Sequence, residues 1–263
     1  MEAALVEIAW QGRPLHIEHR WVGDVTSSEA PVVFLHEGLG SLAAWKDFPE
    51  RLCTHIGRRG LVFSRYGYGG STAKPSDERW PVDFMHRQAF EVLPALFEAL
   101  GVSRPWLFGH SDGGSIALLH AARYPCAGVV AVAAHVFTED FGLRSIEAAR
   151  VAYETTDLRA RLGRYHADVD SAFRGWNDVW LDPAFRAWNI EAELDAIRCP
   201  LLVVQGEDDE YGTLAQVHAI VRHVPHAKTL VLPECGHSPH RDQPERLIAQ
   251  AGAFIRHAGA SPS

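Results

Sequence analysis

Three short segments contain the side-chain types of a nucleophilic catalytic site. The segment FGHSDGGSIALL places Ser111 between Gly109 and Gly113, in the pattern G-x-S-x-G. The segment LLVVQGEDDEYG ends an apolar run in four acids, and VLPECGHSPH ends another run in two histidines, His237 and His240. A serine hydroxyl is a weak nucleophile at neutral pH, and a histidine oriented by a carboxylate can take its proton. The three segments therefore indicate nucleophilic catalysis by serine.

The G-x-S-x-G pattern is informative only where a strand stops and a helix begins at once. Here the apolar run RPWLFGH precedes Ser111, and the helical pattern SIALLHAARY follows it. In such a turn the glycines avoid Cβ collisions, and the turn lifts the serine Oγ above the sheet. The alternative is a glycine-rich turn in which Ser111 only caps a helix. Serine, acid and histidine each follow an apolar run, which favours the catalytic interpretation, because the ends of parallel strands converge on one crevice.

Eight apolar runs predict strands, and helical patterns lie between them. From the third run onward the runs are continuously apolar rather than alternating, which is typical of parallel strands covered on both faces. Strands that alternate with helices predict a doubly wound sheet, which the first two runs open as an antiparallel hairpin. The eight runs are LVEIAW, PLHIEHRWVG, PVVFLH, GLVFSRY, RPWLFGH, GVVAVAAHVF, CPLLVVQG and TLVLPEC.

The alternation of strands and helices stops in residues 137–198. This segment lacks a convincing strand pattern, contains helical patterns and is rich in aromatic residues, among them Trp176 and Trp180. We expect a helical lid over 137–198, inserted into a core formed by 1–136 and 199–263. The aromatic side chains either pack the lid helices together or line an apolar cavity over the sheet edge.

Over essentially its whole length the chain resembles the α/β-hydrolase fold family. The matching motifs are LHEGLGS after the third strand, SRYGYGGS after the fourth, GHSDGG, GEDD and GHSPH. The resemblance implies an α/β fold with a mostly parallel eight-stranded sheet, helices on both faces and an inserted helical lid. It also implies a triad in which Ser111 is the nucleophile, Asp209 is the acid among the four candidates, and His237 rather than His240 is the base.

The resemblance further implies an oxyanion hole of backbone N–H groups. One N–H comes from Asp112, directly after the nucleophile, and another comes from the loop that contains Gly38 and Leu39. Removing one such donor costs about 3 kcal/mol of transition-state stabilisation in enzymes where this has been done. The side chain of Arg65 or Tyr66 is expected to brace this loop.

One residue of the loop departs from the family pattern, because Glu37 follows His36 where glycine is usual. A carboxylate aimed at the oxyanion would oppose the developing negative charge. We therefore expect Glu37 to turn away into a hydrogen-bonded or ion-paired site, with Arg65 or His36 as partner. The alternative is a pocket residue with a raised pKa. Further candidates for the substrate pocket are His135, Trp176 and Trp180.

Two other polar groups near these motifs have structural interpretations. His110 is expected to pack or hydrogen-bond within the turn that contains the nucleophile. The remaining acids of GEDDE are expected to lie in solvent as turn formers.

Composition limits the class of partner. Lys and Arg total 25 against 33 Asp and Glu, which gives a formal charge of −8 and argues against binding to nucleic acid or to an anionic membrane surface. The N-terminus lacks the basic region of a secretory signal, and no apolar run approaches the length of a membrane span, so a cytoplasmic location is expected. The four cysteines and the histidine pairs lack metal-ligand spacing, so we expect neither a metal nor a cofactor.

These observations predict a serine hydrolase that cleaves a small carboxylic ester or lactone through an acyl-enzyme. The substrate is expected to be a small molecule, largely apolar or aromatic. One alternative keeps the triad and hydrolyses a carbon–carbon bond in a ring-cleavage product. Another alternative is a ligand-binding receptor with the same fold. The sequence does not indicate an oligomeric state.

Overall fold

An eight-stranded sheet lies at the centre of the computed structural model, which describes residues 2–259. The strands are β1 (Ala4–Trp10), β2 (Arg13–Gly23), β3 (Val32–Leu35), β4 (Arg59–Phe63), β5 (Trp106–His110), β6 (Gly128–Val132), β7 (Leu201–Gly206) and β8 (Lys228–Leu232). Their order in the sheet is β1-β2-β4-β3-β5-β6-β7-β8. The pairs β1–β2 and β2–β4 are antiparallel, and all other neighbours are parallel. The predicted fold class is confirmed, including the hairpin that opens the sheet.

Helices cover both faces of the sheet. They are α1 (Phe48–Ile56), α2 (Phe84–Arg87), α3 (Leu93–Leu100), α4 (Asp112–Arg123), α5 (Asp140–Thr155), α6 (Leu158–Leu162), α7 (Val169–Trp180), α8 (Glu191–Leu194), α9 (Leu214–His223), α10 (Pro239–Asp242) and α11 (Pro244–Gly259). A π-helical turn, Gln88–Val92, joins α2 to α3, and 3₁₀ turns lie at Ala43–Trp45 and Pro183–Ala187. In the part of the chain that the structure describes, no helix has the length and apolar character needed to cross a membrane.

Two predicted elements end earlier than their apolar patterns. The helical pattern of residues 42–56 is divided, because Lys46 has a φ of 54° and Pro49 lies in the first turn of α1. Strand β6 stops at Val132, because Ala133 has a φ of 49° that an extended strand does not allow. His135 therefore lies on a loop at the end of β6 rather than within the strand.

The apolar core forms two layers, one on each face of the sheet. Val32 and Phe34 of β3 face the layer that contains α1 and α11, whereas Val33 and Leu35 face the layer that contains α3, α4 and α9. All four side chains are fully buried. Burial on both faces explains the continuous apolar runs of β3, β5, β6 and β7, in which every residue is buried, whereas the edge strand β8 begins with exposed residues.

Leu107 lies at the centre of the sheet and provides a test of this packing. It pairs in register with Val33 of β3 and Val129 of β6 and is fully buried. We expect Leu107→Ala to lower the free energy of unfolding by about 2–5 kcal/mol, since the lost contacts leave a cavity. The control, Leu5→Ala on the edge strand β1, removes a side chain that is 59% exposed and should change it by no more than about 0.5 kcal/mol. Urea denaturation measures both, and equal effects would contradict the two-layer core.

Candidate active site

Ser111 occupies a strained turn between β5 and α4. Its φ of 53° and ψ of −120° are unusual for a residue with a side chain. A Cβ on Gly109 would lie 2.2 Å from the carbonyl oxygen of Gly113, and a Cβ on Gly113 would lie 2.1 Å from that of Leu35. Both glycines of the motif are therefore required by close backbone contacts, and the turn is more than a helix cap.

His237 and Asp209 come together at the ends of β8 and β7. The Nδ1 atom of His237 lies 2.9 Å from each carboxylate oxygen of Asp209. The carboxylate is itself held in place, because it accepts hydrogen bonds from Gln205 Nε2 at 2.6 Å, Tyr211 N at 2.8 Å and Gly212 N at 3.1 Å. Asp209 is thus a fixed acceptor that orients the imidazole.

The two partners shift each other's pKa in opposite directions. Burial opposes the charge on Asp209, but the hydrogen bond and charge of His237 outweigh it and lower the pKa of Asp209. Burial likewise opposes an imidazolium, but the hydrogen bond and charge of Asp209 raise the pKa of His237. The site therefore favours a carboxylate beside a histidine that binds a proton readily.

The predicted oxyanion donors lie on two elements that meet at Ser111. No acceptor among the described residues pairs with the backbone N–H of Gly38 or Leu39. Asp112 is the first residue of α4, where the N–H groups have no acceptor within the helix. Gly38 is also sterically required, because a Cβ there would lie 2.1 Å from Nε1 of Trp176. The arrangement leaves free N–H groups beside the serine.

The carboxylate of Glu37 lies at the cavity as one member of an ion pair, but its predicted partners were wrong. Oε1 accepts a hydrogen bond from Arg241 Nη2 at 3.0 Å, and Oε2 lies 3.5 Å from His110 Nδ1. Arg65 and His36 instead contact the backbone carbonyl of Glu37, at 2.9 and 2.7 Å. Burial opposes the charge, yet His110 and Arg241 hold the pKa of Glu37 well below its usual range. The raised pKa of the alternative interpretation is therefore absent.

The side chain of Asp112 is buried and directed away from solvent. Its Oδ1 accepts a hydrogen bond from Trp180 Nε1 at 3.1 Å, and its Oδ2 lies 3.6 Å from Arg65 Nη2. Burial raises the pKa of this carboxyl group. Arg65 thus contacts both the loop after β3 and the start of α4, which agrees with the bracing role expected for it, whereas Tyr66 bonds to Arg13 and Glu78 elsewhere.

These groups lie at one cavity of about 240 Å³. It is partly open to solvent, and residues of α5 and α7 form part of its wall. Nine of the residues singled out from the sequence line it: Glu37, Gly38, Leu39, Ser111, Asp112, His135, Trp176, Trp180 and His237. Asp209 does not line the cavity but is buried and bonded to His237. Its other lining residues are His110, Glu139, Gly142, Ile146, Glu210, Tyr211, Ser238 and Arg241.

Several contacts that hold the site were missed from the sequence. His110 Nε2 lies 2.7 Å from the backbone oxygen of His237, and the backbone N–H of His237 donates to Glu210 Oε2 at 3.1 Å. Glu210 is exposed, but it is not the mere turn former expected. Gln205 could have been recognised from the sequence, because a polar residue at the end of the apolar run LLVVQ is unusual and here bonds to Asp209. No sequence pattern indicated Arg241.

The described residues offer no metal centre, since no three His, Cys, Asp or Glu side chains within 2–259 are grouped as ligands. The histidines near the cavity instead contact carboxylates, backbone oxygens or other rings. The cavity brings a serine and a histidine that is paired with a carboxylate next to backbone N–H groups, and these side chains can transfer protons.

Comparison with known proteins identifies the family of the chain. A model of the alpha/beta hydrolase family matches residues 32–251. The chain is 28% identical to the serine hydrolase BPHL of Mus musculus, over 89% of this chain and 82% of that protein. It is 25% identical to the 2-hydroxy-6-oxo-6-phenylhexa-2,4-dienoate hydrolase of Burkholderia cepacia, over 82% and 84%. The crystal structure of VinJ superposes with a TM-score of 0.75 at 25% identity, over 97% of this chain and 99% of VinJ. The chain therefore belongs to the alpha/beta hydrolase family and is a hydrolase.

Proposed function

We propose that this hydrolase cleaves a small carboxylic ester or lactone through an acyl-enzyme formed on Ser111. The observation that carries the proposal is that Ser111, on its strained turn, and His237, held by Asp209, line the same cavity. A nucleophile, a base and an orienting acid are the groups that acyl transfer to a serine requires.

In the proposed mechanism His237 takes the Ser111 proton as the hydroxyl attacks the carbonyl carbon. Asp209 keeps the proton on Nδ1, so that Nε2 is free to act as base, and it stabilises the imidazolium. The imidazolium then returns the proton to the leaving alkoxide, and a water molecule activated in the same way releases the acid. The low pKa of Asp209 and the raised pKa of His237 support these roles.

The negative charge of the tetrahedral intermediate is assigned to the backbone N–H groups of Asp112 and of Gly38 or Leu39. Donors that are already fixed by the backbone stabilise the developing oxyanion without having to reorganise. The pairing of the Glu37 carboxylate with Arg241 supports this assignment, because the cation offsets a negative charge that would otherwise oppose the oxyanion.

We assign substrate selection to residues 137–198, acting as a lid inserted between 1–136 and 199–263. Trp176 and Trp180 of α7, with Ile146 of α5, cover the cavity with apolar surface. A volume of about 240 Å³ fits a small substrate, and aromatic walls favour an apolar or aromatic group.

Hydrolysis of a carbon–carbon bond in a ring-cleavage product is a second candidate. It is supported by the similarity to the Burkholderia cepacia enzyme named for a phenylhexadienoate substrate. Parallel assays with p-nitrophenyl esters and vinylogous diketones distinguish the candidates. A kcat/KM for a diketone well above that for every ester would replace the ester proposal with this one.

Replacing Ser111 by alanine tests the nucleophile. We expect Ser111→Ala to reduce kcat for p-nitrophenyl esters by about 10⁴-fold or more, because the covalent route is lost. The variant should fold normally, as judged by circular dichroism and thermal unfolding. The control is Ser103→Ala, an exposed serine in the loop before β5, which should retain wild-type kcat. Turnover that survives in purified Ser111→Ala would refute the proposal.

The pH dependence of kcat/KM tests the base. His237 must be neutral to accept the serine proton, so activity is lost as pH falls and the imidazole gains a proton. Because the pKa of His237 is raised, we expect the midpoint of the acidic limb to lie above the ordinary histidine value of about 6.5. Asp209→Asn should move the limb to lower pH and reduce kcat by about 10⁴-fold. A wild-type midpoint at or below 6.5 would contradict the assignment.

A further inference from the structure

The side chain of Glu37 connects two loops that meet at the cavity. The loop after β3 carries Glu37 and the predicted oxyanion donors, and α10, which carries Arg241, begins two residues after His237. The Glu37 carboxylate accepts from Arg241 Nη2 at 3.0 Å, although the residues lie 204 positions apart. The Glu37 side chain is 17% exposed, so this ion pair is partly shielded from water and is worth more than a surface pair.

A second contact leads from Glu37 to the backbone of His237. The ring of His110 is fully buried between them, with Nδ1 3.5 Å from Glu37 Oε2 and Nε2 2.7 Å from the carbonyl oxygen of His237. Since a carbonyl oxygen only accepts, Nε2 carries a proton and donates it there. The backbone N–H of His237 donates in turn to Glu210. The main chain of His237 is therefore held on both sides by side chains.

We propose that Glu37 is a positioning residue for His237, acting through His110 and Arg241. Glu37 fixes the start of α10 through its hydrogen bond from Arg241, and its carboxylate packs against the ring of His110, which in turn bonds to the carbonyl oxygen of His237. These contacts set the backbone from which the imidazole extends. The inference rests on the proposed function, in which His237 is the base. It explains why a glutamate lies in the loop of oxyanion donors, because the residue fixes the position of that loop relative to the base.

The proposal places the charge of Glu37 among several others around His237. The carboxyl groups that face His237 are Asp209, Glu210, Glu37 and Asp112. The other titratable groups are His110, His135, His240 and Tyr211, whose rings lie beside it or act on its charge. Removing the Glu37 anion disfavours the imidazolium, whereas removing the Arg241 cation favours it. A purely electrostatic role and a positioning role therefore differ in their consequences.

The test compares Glu37→Gln and Arg241→Gln with the wild-type protein on the best p-nitrophenyl ester. If Glu37 positions His237, both variants lower the pH-independent kcat by about 10- to 100-fold, because a small displacement of a catalytic group is costly. KM should change little in both. The double variant should be no slower than the slower single variant, since both substitutions break one contact. Arg241 is half-exposed, so its variant keeps the test valid if Glu37→Gln fails to fold.

Two outcomes overturn the proposal. A purely electrostatic role would leave the pH-independent kcat unchanged and would move the acidic limb to lower pH in Glu37→Gln and to higher pH in Arg241→Gln. A purely structural role would lower Tm with an unchanged kcat for the folded protein. The matched control is Glu29→Gln, which breaks the Glu29–Arg58 ion pair of 2.9 Å in the loop before β3 and should retain wild-type kcat.

A spectroscopic readout separates this inference from the proposed function. The proton on Nδ1 of His237, held by Asp209, should give a low-field ¹H NMR signal in the wild-type protein and in Glu29→Gln. We expect the signal to broaden or vanish in Glu37→Gln and in Arg241→Gln. An unchanged signal in both would overturn the positioning role, whatever the turnover. Survival of activity in Ser111→Ala would instead overturn the proposed function and leave the signal unaffected.

Discussion

The close approach of three backbone segments at the end of β5 is the constraint on which the site depends. Gly109, Gly113 and the carbonyl of Leu35 are so near one another that a single added Cβ would collide with a main-chain oxygen. This contact forces Ser111 into a positive φ, at a cost of about 1–3 kcal/mol. The packing of the buried parallel strands on either side offsets this strain energy, because the turn cannot relax without separating β5 from β3.

Each buried carboxylate at the cavity has a specific partner, as the cost of burying an unpaired charge requires. Asp209 pairs with His237, Glu37 pairs with Arg241, and Asp112 lies beside Trp180 and Arg65. The same pairings arrange the loops around the serine. The contacts that pair these charges therefore also contribute to positioning the loops.

Helices within residues 137–198 complete the wall of the cavity through close contacts with the loops at the edge of the sheet. Trp176 lies against Gly38 so tightly that no side chain fits there, and Trp180 bonds to Asp112, the residue after Ser111. The two alternatives weighed for the aromatic residues of 137–198 are therefore not exclusive. These tryptophans are at once buried core and cavity wall, because the cavity lies inside the interface between the helices and the sheet.

The sequence by itself determined the eight strands, the helices between them, the strained turn at Ser111 and the family, because apolar periodicity and turn glycines act over short distances along the chain. It also directed attention to Asp209 and His237, since parallel strands end at one edge. Only the tertiary structure decided which charges pair. Glu37 was expected to bind His36, its neighbour in the chain, or Arg65 of the motif after β4. Its carboxylate instead binds Arg241, near the other end of the chain. Such a pairing depends on which loops converge at the sheet edge and on which buried anion most needs a cation, and no local pattern encodes that choice.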